Sequence, residues 1–222
     1  MAGFDLLCCV VNFGEAASVM KIAGKYGVKE GIISIARGSA HSRFLKFLMI
    51  NEIRKEIVTM IVSSDLSEAA IKGISADMAF DKPHHGIAFL MPLSEFADST
   101  QQTDNNTDVR RENNNMYSAI YVVVDKGTAE DIIDVANAAG ARGGTIINAR
   151  GSGIHTTQKL FSIEVEPEKE KIFIIAKNET KDSIITAIRN YLNVDEDGNG
   201  IIFVLDVKEA YGLALGGIDT TI

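Results

Sequence analysis

Little in this sequence signals an oxidising, basic or membrane setting. Of 222 residues only two are cysteine, Cys8 and Cys9. They are adjacent in an apolar stretch, and neighbouring strand residues point to opposite faces, so they are badly placed to bridge each other. They read as small core side chains of a reduced, cytoplasmic protein. Positive charge is also short: 22 Lys and Arg against 30 Asp and Glu give a net charge of −8 and a pI of about 5.0. Without a clustered basic stripe, nucleic acid and anionic membrane surfaces are poor partners. No apolar run approaches the ~18–20 residues of a membrane span, and no segment near Met1 has the basic-then-apolar form of a secretion signal. The four histidines, His41, His84, His85 and His155, form no i, i+4 pair and have no CxxC companion, so no metal centre is expected. Neither Ser39 nor Ser152 sits on a strained elbow beside a histidine, which removes the usual nucleophilic triad.

What the chain does contain is a repeat. Ala36-Arg37-Gly38-Ser39 recurs as Ala149-Arg150-Gly151-Ser152, each after an apolar run and each followed by a histidine, His41 or His155. The same displacement carries Val10-Val11 onto Val123-Val124, Gly14 onto Gly127, Ala23 onto Ala136, Gly27 onto Gly140 and Gly31 onto Gly144. So many matches at one offset mean one domain present twice. Between the copies, residues 98–116 are rich in Gln, Asn, Ser, Thr and Asp with almost nothing to bury, the composition of a linker. The expected organisation is therefore a domain over 1–97, a polar linker over 98–116 and a second domain over 117–222.

Each copy reads strand, helix, strand, strand, helix, strand. In the first, Leu6–Val11 is a short apolar run, Glu15–Tyr26 is amphipathic at helical spacing, Gly31–Ala36 and Ile57–Val62 are strands, Asp65 with Glu68 forms a capping box, and Ile87–Met91 is the last strand. In the second, Thr128 with Asp131 and then Thr180 are the expected helix caps, and Asp197-Gly198-Asn199-Gly200 turns into the final strand. The stretch 40–55 is mixed, and Val207–Ile222 either adds a strand or drapes over a neighbour. This order is that of an α+β fold: tandem ferredoxin-like βαββαβ domains, each an antiparallel four-stranded sheet with both helices on one face. The strands are apolar along both faces, so the side away from the helices must also be covered, most simply by another such sheet. An oligomer is expected. The acidic residues Glu164, Glu166, Glu168, Glu170, Asp195 and Asp197 read as a solvated face.

Candidate ligand contacts cluster at strand ends. Arg37 and Arg150 supply fixed positive charge with planar donors, and Gly38 with Ser39, like Gly151, Ser152 and Gly153, leave backbone N–H groups open to a small anion. Gly86 in the first copy and Gly198, Asn199 and Gly200 in the second form the glycine turns before the last strands, and His41 lies beyond the first Arg-Gly-Ser step. A cleft between neighbouring domains built from these residues suits a small anionic ligand. The plainer alternative is that the glycines only meet turn geometry.

Arg150-Gly151-Ser152-Gly153 before a long loop, and Gly198-Asn199-Gly200-Ile201-Ile202-Phe203-Val204-Leu205-Asp206-Val207, resemble the PII signal-transduction family. The first copy is similar through Ala36-Arg37-Gly38-Ser39, Asp81-Lys82-Pro83 and Gly86-Ile87-Ala88-Phe89-Leu90-Met91-Pro92. The resemblance implies ferredoxin-like subunits packed as trimers with sheets inward, an adenine nucleotide (ATP, ADP or AMP) held between subunits, and long loops, here about 40–55 and 154–169, that signal to a regulated protein target, as in nitrogen regulation. It implies no catalysis. The chain departs from the family pattern at Ile87 and Ile201, where a phosphate-binding lysine is usual, in lacking arginines over Val207–Leu215, and in lacking a loop tyrosine over 154–169. These changes disfavour a triphosphate and point to AMP, a cyclic nucleotide or another metabolite. The alternatives are a CutA-like structural or metal-binding assembly protein, for which His84 and His85 are the candidate ligands, and an acylphosphatase-like enzyme. The latter wants an arginine-lined loop after the first strand, where Asn12-Phe13-Gly14 and Asp125-Lys126-Gly127 have none.

Overall fold

A computed structural model describes residues 3–28, 30–39, 52–93, 116–150, 158–160, 163–165, 168–194 and 199–213. Its strands and helices in chain order are β1 (Phe4–Asn12), α1 (Ala16–Gly24), β2 (Ile32–Ser39), β3 (Glu52–Ser63), α2 (Ser64–Asp77), β4 (Ile87–Pro92), β5 (Tyr117–Asp125), α3 (Ala129–Ala138), β6 (Thr145–Arg150), β7 (Gln158–Leu160), β8 (Ile163–Val165), β9 (Glu168–Lys177), α4 (Asn178–Leu192), β10 (Ile201–Val207) and β11 (Glu209–Tyr211). The βαββαβ order thus occurs twice, as β1-α1-β2-β3-α2-β4 and β5-α3-β6-β9-α4-β10, and the fold is α+β and ferredoxin-like. The strand order is β2-β3-β1-β4 in the first copy and β10-β5-β9-β6 in the second.

The compact units do not follow the chain strictly. The first comprises residues 1–34, 56–117 and 206–222, and the second 35–55 and 118–205. The end of β2 and the strand β11 thus pack with the other half of the sequence, whereas the repeat alone suggested consecutive domains. Most of the linker lies outside the described residues, as does the apolar part of 40–51.

In the first unit, alternate residues of three strands point at two helices. Leu7, Cys9 and Val11 of β1, Val58, Met60 and Val62 of β3, and Ala88 and Leu90 of β4 close on Val19 and Ala23 of α1 and Ala70, Ile71 and Ile74 of α2. Each large aliphatic side chain buried this way contributes about 1.5–3 kcal/mol. β1 and β4 run antiparallel, with Leu7 opposite Leu90 and Cys9 opposite Ala88. Both cysteines are buried free thiols. The tail resolves its ambiguity here: β11 adds to the free edge of β4, placing Ala210 opposite Phe89.

The second unit repeats the plan with Ile120, Val122 and Val124 of β5, Ile172 and Ile174 of β9, and Ile132, Ile133, Ile184 and Ile188 of the helices. β6 and β9 pair antiparallel from Thr145 opposite Phe173 to Arg150 opposite Glu168. The end of β2 joins this unit, with Arg37 opposite Ile146 and Gly38 opposite Thr145. Within the expected long loop, β7 and β8 form a short antiparallel ribbon, Gln158 opposite Val165.

The helix starts differ from the local capping boxes. α2 begins at Ser64 after Ser63, so Asp65 lies inside its first turn, and the Ser63 side chain makes no capping bond. α4 begins at Asn178, two residues before Thr180, whose hydroxyl instead donates to the Lys177 carbonyl at 3.2 Å. Thr128 does precede α3, yet its hydroxyl donates to the Asp125 carbonyl at 3.0 Å and caps no helical N–H. The cap comes from elsewhere in the fold.

The sheet faces turned from the helices are partly covered: Cys8, Val10, Phe89 and Met91 are buried, as are Ala119 and Phe173. Ile32, Ile33 and Ile61 of the first unit, and Ile35, Ile201, Phe203 and Leu205 of the second, remain exposed.

Candidate functional site

The two glycine turns have a steric reason. Gly86 has φ +141° and Gly200 φ +135°. A Cβ at Gly86 would come within 2.7 Å of the Val10 carbonyl, and one at Gly200 within 2.9 Å of the Val123 carbonyl. Val10 and Val123 are repeat equivalents, so each copy brings its last strand against its first through a position only glycine fits. Turn geometry accounts for both residues. Asn199 is also engaged locally: its amide donates to the Asn193 carbonyl at 3.2 Å. Before the first of these turns, His84 is held at φ +67° and the Asn12 amide donates to its carbonyl at 3.3 Å. Among the described residues no group of three His, Cys, Asp or Glu side chains is placed to hold a metal ion.

The two arginines are equivalent in sequence and different in surroundings. Arg37, at the end of β2, donates through Nη2 to Glu170 Oε1, and its side chain is only 20% exposed. Glu170 itself is 1% exposed. Its other oxygen accepts the Ala129 N–H, a free donor of the first turn of α3, at 3.1 Å and the Gly127 N–H of the preceding turn at 3.0 Å. One buried carboxylate on β9 thus caps a helix, fixes the turn before it and holds the arginine. Glu170 therefore leaves the solvated acidic face expected of it, because the α3 N-terminus and a guanidinium replace its water. The first unit uses the same device in lesser form: Glu56 of β3 accepts the Ala16 N–H of α1 at 2.9 Å.

Arg150, at the end of β6, is exposed and lies opposite Glu168 on β9. Glu168 accepts the Lys126 ammonium at 2.7 Å, and the Lys126 N–H donates back to the Glu168 carbonyl at 3.2 Å. The Lys126 hydrogen bond, then its charge, with a smaller contribution from Arg150, hold the Glu168 carboxyl below its ordinary value. Arg150 therefore stands exposed beside the Lys126–Glu168 ion pair at the strand end that carries the second Arg-Gly-Ser step.

Of the other predicted contacts, Gly38 lies in extended backbone opposite Thr145, and Ser39 is the last residue of β2. His41, Gly151, Ser152, Gly153 and Gly198 lie outside the described residues. Ile87, at one position where the resemblance calls for lysine, pairs with Val10, and its equivalent Ile201 is 62% exposed. Sequence reasoning missed Glu170 and Glu56. Their one signal is an acidic residue just ahead of the same β-branched run in each copy.

Residues 117–216 match the family described as Nitrogen regulatory protein P-II. Among solved structures, the B. subtilis GlnK–ATP complex is 18% identical over 44% of this chain and 96% of its own, with a TM-score of 0.34. A second structure of B. subtilis GlnK is 19% identical over 42% of this chain and 86% of its own, with a TM-score of 0.33. A microcompartment protein from Desulfitobacterium hafniense is 11% identical over 94% and 97%, with a TM-score of 0.30. No curated protein matches.

Proposed function

We propose, for a chain whose residues 117–216 match the family described as Nitrogen regulatory protein P-II, a non-catalytic PII-like sensor of a small anionic metabolite. The observation that carries this reading is the exposed Arg150 beside Lys126, at the strand end that leads into Gly151-Ser152-Gly153. It offers a ligand one exposed guanidinium next to the Lys126–Glu168 ion pair. Arg37, turned into Glu170, serves the fold, so the second copy is the stronger ligand wall. The ligand is an adenine nucleotide with few phosphates, AMP before ADP and ATP, because Ile201 stands where a phosphate-binding lysine would. Binding alters a surface read by a regulated protein, a shift of populations without chemistry. The exposed Ile32, Ile33, Ile61, Ile201 and Phe203 suit contacts between subunits of a PII-type trimer in the cytoplasm.

Calorimetric titration of the full chain with AMP, ADP and ATP tests the reading. At least one nucleotide should bind, and Arg150→Ala should abolish that binding while leaving the unfolding temperature of the free protein unchanged. Absence of binding by all three, or unaltered binding in Arg150→Ala, would defeat it.

A further inference from the structure

The first unit contains a cleft that the nucleotide reading does not use. It lies between α2 and β11, has a volume of about 500 Å³ and is lined by Lys72, Ser75, Ala76, Asp81, Tyr211 and Gly212. β11 is pinned there by its ladder to β4 and by the Lys208 N–H donating to the Leu90 carbonyl at 2.8 Å. Gly212, at φ +78°, leaves that wall without a side chain, since a Cβ would come within 2.1 Å of the Gly86 carbonyl oxygen.

Buried polar atoms without a protein partner gather in this unit: Asp5 Oδ1, Ser64 Oγ, Ser75 Oγ and Glu209 Oε2. Each such atom costs about 1–3 kcal/mol when nothing satisfies it. Ser75 is the one on the cleft wall, and it is 7% exposed. Its hydroxyl is a polar group removed from bulk water beside an open space. Lys72 and Asp81 place one positive and one negative charge on the same lining. Lys72 is paired only loosely with Glu68, at 3.5 Å and with both side chains 56% exposed, so its ammonium turns to a ligand at little cost. Ala76 and the Tyr211 ring supply the apolar surface between.

We propose that this cleft binds a free α-amino acid, its carboxylate on Lys72, its ammonium on Asp81 and a polar atom on the Ser75 hydroxyl. A zwitterion satisfies both charges of the lining, whereas a phosphate-rich ligand would set its negative charge against Asp81. The site lies in the other unit from Arg150 and stands or falls without the nucleotide reading.

The test is titration of the full chain with the common L-amino acids one at a time, followed by calorimetry. At least one should bind with a Kd of ~1 mM or tighter, and its methyl ester and its deaminated acid should each bind at least ~tenfold more weakly. Lys72→Gln and Asp81→Asn, both surface changes, should each weaken binding by ~tenfold or more. Ser75→Ala should lower affinity while leaving the free protein as stable or more so, because it deletes an unpartnered buried hydroxyl. No binding up to ~10 mM, equal binding of the ester or the deaminated acid, or unchanged affinity in Lys72→Gln and Asp81→Asn would overturn the assignment.

Discussion

Replacing Glu170 by alanine should be among the most damaging single changes in the second unit. The carboxylate accepts from Gly127 N, Ala129 N and Arg37 Nη2, and it is 1% exposed. Losing a helix cap costs about 0.5–2 kcal/mol. Breaking a buried ion pair from one side costs about 3–5 kcal/mol, since the abandoned charge stays buried. Arg37 is one-fifth exposed and partly rehydrates, so the two losses overlap and Glu170→Ala should destabilise by about 3–5 kcal/mol in all. Glu170→Gln keeps the shape and one acceptor, and should cost about 2 kcal/mol. In Arg37→Ala with Glu170→Ala, no charge is stranded, so the double variant should cost less than the sum of the singles by about 1–3 kcal/mol. Urea denaturation at neutral pH followed by far-ultraviolet circular dichroism reads all of this. With a slope of about 2 kcal/mol per molar, Glu170→Ala should move the midpoint by roughly 2 M. Glu168→Ala, two residues along the same strand and solvent-exposed, is the control and should shift the midpoint far less than Glu170→Ala. A Glu170→Ala cost below about 1 kcal/mol, or a double variant that costs the full sum, would show that the carboxylate does not join helix and arginine.

Two further outcomes follow from the electrostatics. Because Lys126 lowers the folded-state pKa of Glu168, the pair's contribution is present above the unfolded carboxyl pKa and is lost as pH falls through the folded one. Lys126→Ala should therefore raise the Glu168 midpoint in a carboxyl-detected NMR titration, and an unmoved midpoint would count against the pairing. Burial, and then the neighbouring Cys8, push the Cys9 thiol well above its usual range, and both sulfurs lie in the core. Neither should react with iodoacetamide in the native protein, while both should react in urea; modification of the folded chain would contradict the packing.

The fold was legible wherever a local pattern carried it. Runs such as Leu6–Val11 and Lys171–Ala176 could only be buried strands, and the offset joining Arg37 to Arg150 exposed the duplication. The caps were not legible, because the residue that serves Ala129 stands on β9, far along the chain, and no rule of short spacing connects them. For the same reason the partner of Arg37 was not legible: sequence shows its type and its strand-end position, whereas Glu170 is brought to it by the tertiary fold. The turn glycines Gly86 and Gly200 were visible by type, and only coordinates reveal that the Val10 and Val123 carbonyls demand them. The tail offered no apolar period long enough to read, since a three-residue strand borrows its order from the edge it joins.

That last strand has a bearing on how the chain is made. Phe89 leaves the ribosome long before Ala210, yet the two face each other in the finished ladder. Until β11 has been made, the outer edge of β4 presents bare amides and carbonyls that a neighbouring nascent chain could seize. A ribosome stalled after Leu205 would hold a first unit still lacking the strand that covers β4, open to mispairing in crowded polysomes, and emergence of Glu209–Tyr211 would act as the latch.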